Sequence, residues 1–396
     1  MAPNINTDVC IVGVGQSAFG LALDVNPLRL QVDAMKMALD DAGLTKDDID
    51  GFITAQGSPG GVDYDEFTAH TGLKIRWTNQ FWAHGRWGSS SLVNAAMAIQ
   101  NGLADYVLVA NTVTTRRGYG KYFPHGSEGY SEALRDTGGG HGEVGFMGLD
   151  TPGAATSLVA RDYMRRYGAT SEELANVAVT FRKHANLNPQ AIMRDKKMTA
   201  DDYMESRFIS PPFRLFDYCL RNDGSNALIL TTVERARALK KAPVFMTGIQ
   251  GIQSDRDCYV MFARPGMGVG FQTEYDYAPP RQKVYDMAGV DNKDIDALFM
   301  YDSFSTNLWM LLERFGFCAP GEGHEFASAD RIQLGGELPV NTNGGLMSEG
   351  HYSGFNHLVE AVRQLRGECG PRQVKDAEVV QWATTYGDSL IMTKGR

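Results

Sequence analysis

The stretch Ala42-Gly43-Leu44-Thr45-Lys46-Asp47-Asp48-Ile49-Asp50-Gly51-Phe52-Ile53 returns later in the chain as Ala288-Gly289-Val290-Asp291-Asn292-Lys293-Asp294-Ile295-Asp296-Ala297-Leu298-Phe299. Each copy closes an amphipathic segment at a glycine, turns through polar residues and opens into an apolar run, the signature of a helix handing over to a buried strand. Upstream of the first copy, residues 9–14 read as a buried strand and residues 27–42 as a helix stopped by Gly43. Downstream, residues 49–55 read as a strand, 89–101 as a helix closed by Gly102, and 106–110 as a further strand. The second copy is followed by the same order: a strand at 297–300, then a Gly/Ser-rich turn, a helix and an apolar strand between Gly350 and Ala383. Helices alternating with buried strands argue for layered α/β architecture. The repeated order argues for two duplicated halves around a pseudo-twofold core.

Between the halves the character changes. Residues 112–212 are rich in Gly, Arg, Tyr and His, include Gly138-Gly139-Gly140-His141-Gly142, and are interrupted by helical segments near 155–167 and 172–185. They read as an insertion over one end of the core, where loops carry binding function. Regular patterning resumes at Asp223-Gly224-Ser225-Asn226-Ala227. The chain therefore divides into a first half (1–111 with 213–250), an insertion (112–212) and a second half (251–396).

The composition excludes several classes. With 396 residues and a net charge of −9, and no run of Lys or Arg, the chain is not built to neutralise nucleic-acid phosphates. No 18-residue apolar segment is present to span a bilayer, and residues 1–20 lack a signal-peptide pattern. Cys10, Cys219, Cys258, Cys318 and Cys369 are widely separated and show no zinc spacing, so no metal site and a reducing, cytoplasmic setting are expected. Gly13 to Gly20 follow a strand, but their spacing is wrong for a dinucleotide turn and fits a structural one.

Three blocks in the repeated frame resemble the thiolase superfamily. Tyr301-Asp302-Ser303-Phe304-Ser305 resembles the His-Asp-Cys-Phe-Ser block of sterol-carrier-protein-type thiolases. Asn343-Gly344-Gly345-Leu346-Met347-Ser348-Glu349-Gly350-His351 resembles their segment ending in Gly-His-Pro, and Asp223 to Ala227 their Asp-Gly-Ala-Ala block. The resemblance implies a thiolase-like fold of two βαβαβαββ halves in five layers, α-β-α-β-α, and a homodimer joined through the core sheet.

The departures point to different chemistry. Gly85 stands where a thiolase carries its nucleophilic cysteine, ahead of Arg86-Trp87-Gly88-Ser89-Ser90-Ser91; Ser303 replaces the second thiol, Tyr301 the histidine and Tyr352 the proline after His351. Without a thiolate no acyl-enzyme forms. Tyrosines at the Tyr-Asp-Ser-Phe and Gly-His-Tyr positions resemble the thiolase-like steroid side-chain aldolases, also called lipid-transfer proteins. That resemblance implies a retro-aldolase that cleaves a β-hydroxyacyl-CoA, such as a 17-hydroxy-steroid 20-carboxyl-CoA, to a ketone and propionyl-CoA. Tyr301 and Tyr352 would share the proton transfers, and His351 with backbone amides near Gly387 would hold the thioester oxyanion. Gly350 would shape the cofactor channel, and Arg116, Arg117 and Lys121 would meet the coenzyme A phosphates. No cofactor is implied beyond the coenzyme A of the substrate. The family also implies a zinc-ribbon/OB-fold partner that binds acyl-CoA. A divergent thiolase or acyltransferase, using Ser89, Ser90 or another nucleophile, and a non-catalytic acyl-CoA-binding scaffold are the competing readings.

Overall fold

The computed structural model describes residues 8–56, 62–82, 88–114, 152–252 and 282–394. The two copies of the repeat adopt the same backbone. Helix α1 (Pro27–Ala42) ends at Gly43 with φ 75°, and the matching helix ahead of the second copy ends at Gly289 with φ 69°. Both glycines take the left-handed conformation that closes a helix, which a Cβ would penalise. A single 3₁₀ turn follows each, closed by Thr45 and Asp48 in one copy and by Asp291 and Asp294 in the other. The last acid of the repeat works identically in both. Asp50 accepts the backbone N–H groups of Asp105 at 2.8 Å and Tyr106 at 2.9 Å, and Asp296 accepts those of Glu378 at 2.8 Å and Val379 at 2.9 Å. Each thereby fixes the start of a neighbouring parallel strand.

The strands of the first half are β1 (Val9–Gln16), β2 (Gly51–Gln56), β3 (Trp77–Trp82), β4 (Val107–Val113) and β5 (Gly224–Thr232), ordered β3-β2-β4-β5-β1, with helix α2 (Tyr64–Thr71) between β2 and β3 in the chain. Those of the second half are β6 (Val244–Gln250), β7 (Ala297–Met300), β8 (Val379–Ala383) and β9 (Ser389–Lys394), ordered β6-β9-β8-β7; β6, expected in the first half, pairs along its length with β9 and so belongs to the second. Pairing directions correspond throughout: β5 and β9 run antiparallel to both neighbours, while β4 with β2 and β8 with β7 are parallel. The counterpart of β3 is reduced to one parallel bridge, Leu298 with Val340. β1 and β6 pair only at Cys10–Phe245 and Ile11–Val244, where the two half-sheets join.

Alternating side chains build the layers. On β1, Cys10 and Val12 face α1, whereas Val9 and Ile11 face a shared middle layer. On β7, Ala297 and Phe299 face that middle layer, whereas Leu298 and Met300 face outward. The middle layer is α3 (Gly88–Gln100) and a second helix, Phe355–Arg366, whose Leu92, Ile99, Phe355, Leu358 and Val362 are buried between the half-sheets. Each such side chain contributes about 1.5–3 kcal/mol on burial. Gly13 and Gly15 on β1 let α1 come close, since a Cβ there would lie 2.5 Å from the Ala38 carbonyl oxygen and 2.2 Å from that of Ala34; their role is packing, not phosphate binding. The outer layer of the second half includes α4 (Pro152–Tyr167) and α5 (Ser171–Leu187) from the insertion, packed on Leu298, Met300 and Ile391. β4 runs on to Val113, a little past the start assigned to the insertion. Among the described residues no helix is long and apolar enough to cross a membrane.

Candidate active site

β7 and β8 are parallel, and both deliver their carboxyl ends to one place, where α/β sheets place ligands. Tyr301 follows β7 directly, its N–H donating to the Ala383 carbonyl at 3.2 Å, and its side chain is buried. Its hydroxyl lies 2.9 Å from Nε2 of His351, with the two rings tilted at 60° and their centres 5.8 Å apart. Fifty residues of chain separate them, so the contact is a product of the fold.

His351 is gripped through its backbone. The buried Asn222 accepts its N–H through Oδ1 at 2.5 Å and donates through Nδ2 to its carbonyl at 3.3 Å. Burial, with His357 nearby, pushes the His351 imidazole down to about 4. The His351 ring is thus neutral near pH 7. When Nε2 accepts the Tyr301 O–H, the ring proton sits on Nδ1, which meets no partner among the described residues.

Tyr352 follows His351 directly, and its hydroxyl is held by a different partner. The ring is fully buried and stacked on Phe19, with centroids 4.0 Å apart. It packs against Gly224 and Gly350; a Cβ on Gly350 would lie 2.6 Å from the ring. Its hydroxyl donates to the Asp223 carbonyl at 3.1 Å, and burial, reinforced by the Glu349 and Asp223 carboxyls, raises the phenol well above its usual value.

The remaining expected residues are placed as follows. Gly387 sits in the turn joining β8 to β9, at the same end of the sheet as Tyr301. Its N–H donates to Thr384 O at 3.1 Å and its carbonyl accepts from Gln250 at 2.6 Å, so its own amide is committed within the turn. Ser89, at the start of α3, donates to the buried Asp388 of that turn at 2.7 Å, and burial raises the Asp388 carboxyl to about 6. The serine thereby links the two halves. Ser303 accepts from Asn307 at 3.0 Å. Gly85, Arg116, Arg117, Lys121, Cys258 and the Gly138–Gly142 run lie outside the described residues.

No described cysteine is an activated nucleophile. Cys219 comes closest to the site, its N–H donating to Ser303 O at 3.1 Å, yet burial and the Asp302 charge push its thiol up to about 12. Cys10 is likewise pushed to about 12 by burial, and Cys318 and Cys369 are also raised. A thiolate-based cycle needs the opposite shift.

Several residues that shape the site were not named as site residues from the sequence, although Asp302 and Glu349 stand inside the blocks quoted above. Asn222 stands one position ahead of the Asp223 block. Asp302 binds Nε2 of His357 at 3.0 Å and accepts the N–H of Leu346 at 2.9 Å. Glu349 and Asn188 meet at 2.8 Å although 161 residues apart.

Fold and site together describe a thiolase-fold protein in which a tyrosine hydroxyl meets a histidine at the end of the second half's parallel strands. Residues 278–391 match the thiolase C-terminal domain-like family. The chain is 33% identical to the 17-hydroxy-3-oxo-4-pregnene-20-carboxyl-CoA lyase of Mycobacterium tuberculosis, covering 92% of each protein. It is also 33% identical to the steroid side-chain-cleaving aldolase of Thermomonospora curvata, over 90% of each. Among solved structures, the Ltp2–ChsH2 (DUF35) aldolase superposes with a TM-score of 0.84 at 30% identity, covering 99% of this chain and all of that one. Human mitochondrial 3-ketoacyl-CoA thiolase shares the fold, with a TM-score of 0.63 at 16% identity over 99% of this chain and all of that one. The chain belongs to the thiolase-like steroid side-chain-cleaving aldolase family.

Proposed function

We propose that this chain is a retro-aldolase that cleaves a 17-hydroxy-steroid 20-carboxyl-CoA into a 17-ketosteroid and propionyl-CoA. The observation that carries the reading is the Tyr301–His351 hydrogen bond at 2.9 Å, formed within two blocks that resemble thiolase motifs while no activated thiol is found among the described residues. The relatives at 33% identity, named as a lyase and an aldolase, support the same reaction.

In this mechanism the substrate hydroxyl gives its proton to the Tyr301 oxygen as the Tyr301 proton passes to Nε2 of His351. The electrons of the O–H bond form the ketone, and those of the Cα–Cβ bond move into the thioester enolate. Nδ1–H of His351 faces the thioester oxygen, so the imidazolium forms as negative charge grows there, the differential stabilisation that lowers a barrier. Tyr352 donates its proton to the enolate carbon, releasing propionyl-CoA. A phenol held protonated by burial suits that part; to reach the enolate it leaves the Asp223 carbonyl. The proton on His351 then returns to Tyr352 through solvent.

Arg116 and Arg117 remain our assignment for the coenzyme A phosphates, in a cytoplasmic protein that needs no cofactor or metal of its own. The match to the Ltp2–ChsH2 (DUF35) aldolase supports an acyl-CoA-binding partner of the zinc-ribbon/OB-fold kind. β3 forms the edge of the sheet among the described residues, which supports homodimer formation through it.

The test is to incubate the chain, alone and with such a partner, with the steroid thioester and no free coenzyme A, and to follow products by mass spectrometry. Equal amounts of 17-ketosteroid and propionyl-CoA are expected. Absence of both in either mixture overturns the assignment, and turnover only when coenzyme A is added to a 3-ketoacyl thioester restores a thiolase.

A further inference from the structure

Beneath the Tyr301–His351 pair lies a continuous buried polar chain. Asp302, next to Tyr301, binds Nε2 of His357 at 3.0 Å. Nδ1 of His357 lies 3.2 Å from the Asn343 side-chain oxygen, and the Asn343 amide donates to Oε2 of Glu349. The same Oε2 accepts from Asn356 at 2.6 Å, and Asn356 also donates to the Gly350 carbonyl at 3.3 Å, one residue from His351. Oε1 of Glu349 accepts from Asn188, which caps the C-terminus of α5, at 2.8 Å, and its backbone carbonyl accepts from Ile192 at 3.1 Å. All of these side chains but that of Ile192 are buried.

Glu349 is the junction of this chain. It joins Asn343, which opens the Gly-rich segment, to Gly350, which closes it, and through His357 reaches the residue beside Tyr301. Three amide N–H groups converge on it, and a carboxylate offers acceptors at both ends to receive them. A glutamine would present an N–H to Asn188 or to the Asn343–Asn356 pair. A purely architectural site would be served as well by apolar packing, because burying a carboxyl is costly. Burial, with the Glu360 charge, raises this carboxyl to about 7. The charged and titratable groups that act on it are Glu360 on the Phe355–Arg366 helix, Arg372 beyond it, and Tyr352.

We propose that Glu349 is a positioning residue that sets the Tyr301 hydroxyl against His351 by tying together the two ends of the segment that carries the histidine. The inference rests on the reading of Tyr301 and His351 as the reacting groups. Displacement of a reacting group by about 1 Å costs on the order of 100-fold in rate. Glu349→Gln is therefore expected to lower kcat by about 100-fold with KM for the thioester within about twofold.

The deciding measurement is a double-mutant cycle. If Glu349 acts through the pair, adding Glu349→Gln to Tyr301→Phe produces no further loss of kcat; an independent, structural effect multiplies. The nitrogen chemical shifts of His351 should move in Glu349→Gln as its hydrogen bond to Tyr301 changes. Should Glu349→Gln fail to fold, Asn356→Ala breaks the link to Gly350 while leaving Asn343 and Asn188 on the carboxylate, and is read in the same cycle. Wild-type kcat in the Glu349 or Asn356 variant, or losses that multiply in the double variant, overturns the proposal. Full activity of Tyr301→Phe alone instead overturns the reading of the reaction, so the two failures are told apart.

Discussion

The two halves share their scaffold hydrogen bonds and differ in the groups they carry at the ends of equivalent strands. Asp50 and Asp296 each hold two backbone N–H groups of the neighbouring parallel strand. At the carboxyl end of the repeat, Ala55 of the first half corresponds to Tyr301 of the second. Where the first half's strands end, short polar groups satisfy one another: Thr112 donates to Gln31 at 2.8 Å and approaches Ser225 at 2.8 Å, and Gln16 donates to Asn226 at 3.1 Å. In the second half the same region carries a phenol on an imidazole. Backbone caps survive duplication because the backbone needs them in both copies. The tyrosine–histidine pair occurs in one half only, while the other half contributes Asn222, which holds the histidine's backbone.

The largest effects should fall on the second half alone. Tyr301→Phe is expected to lower kcat by about 10³-fold, and Tyr352→Phe by about 10²-fold, the range set by loss of one general acid or base. Both should keep the fold, as judged by unchanged circular dichroism. Wild-type turnover in either variant would remove that tyrosine from the mechanism.

The scaffold should respond symmetrically. Asp50→Ala and Asp296→Ala each strand two backbone donors, and each is expected to cost about 1–3 kcal/mol in chemical denaturation with kcat little changed. Asp50 also meets Arg76 at 2.7 Å, an exposed pair that adds little, so its loss should be at most slightly larger. A loss confined to one aspartate would break the correspondence between the halves.

A smaller effect concerns the insertion's hold on the second half. His184 of α5 is buried with Nδ1 3.2 Å from Asn341 O, while Nε2 accepts from Leu334 N–H at 2.9 Å, an arrangement that fits only a neutral ring. Burial pushes it down to about 4. Because the folded value lies below the unfolded one of about 6.5, the unfolded chain takes up a proton first as pH falls. The stability this histidine supports is full above about pH 6.5 and declines toward pH 4. The stability difference between wild type and His184→Gln should therefore shrink by about 2 kcal/mol between pH 7 and pH 5. A constant difference would show that the ring is not held neutral.

Much of this was legible in the residues alone. Helix α1 and strand β7 fall where the glycine stop and apolar run place them. The duplication shows in a repeat whose caps are set by residues three apart. The missing thiols and the two tyrosines identify the family and the class of chemistry, which the relatives then support.

What the sequence by itself determined is therefore what short-range physics writes: strand and helix periods, caps, turns, and which side chains occupy which strand ends. The tertiary structure alone decided that Tyr301 meets His351, that Asn222 holds the histidine from 129 residues away, and that the Gly387 amide is committed to its own turn. It also decided that Tyr352 is enclosed rather than open at a pocket mouth, and that Glu349 gathers three distant amides. These are contacts between elements far apart in the chain, fixed by how two half-sheets and an insertion pack. No local pattern encodes them, because the free energy that selects them comes from burying the layers against one another.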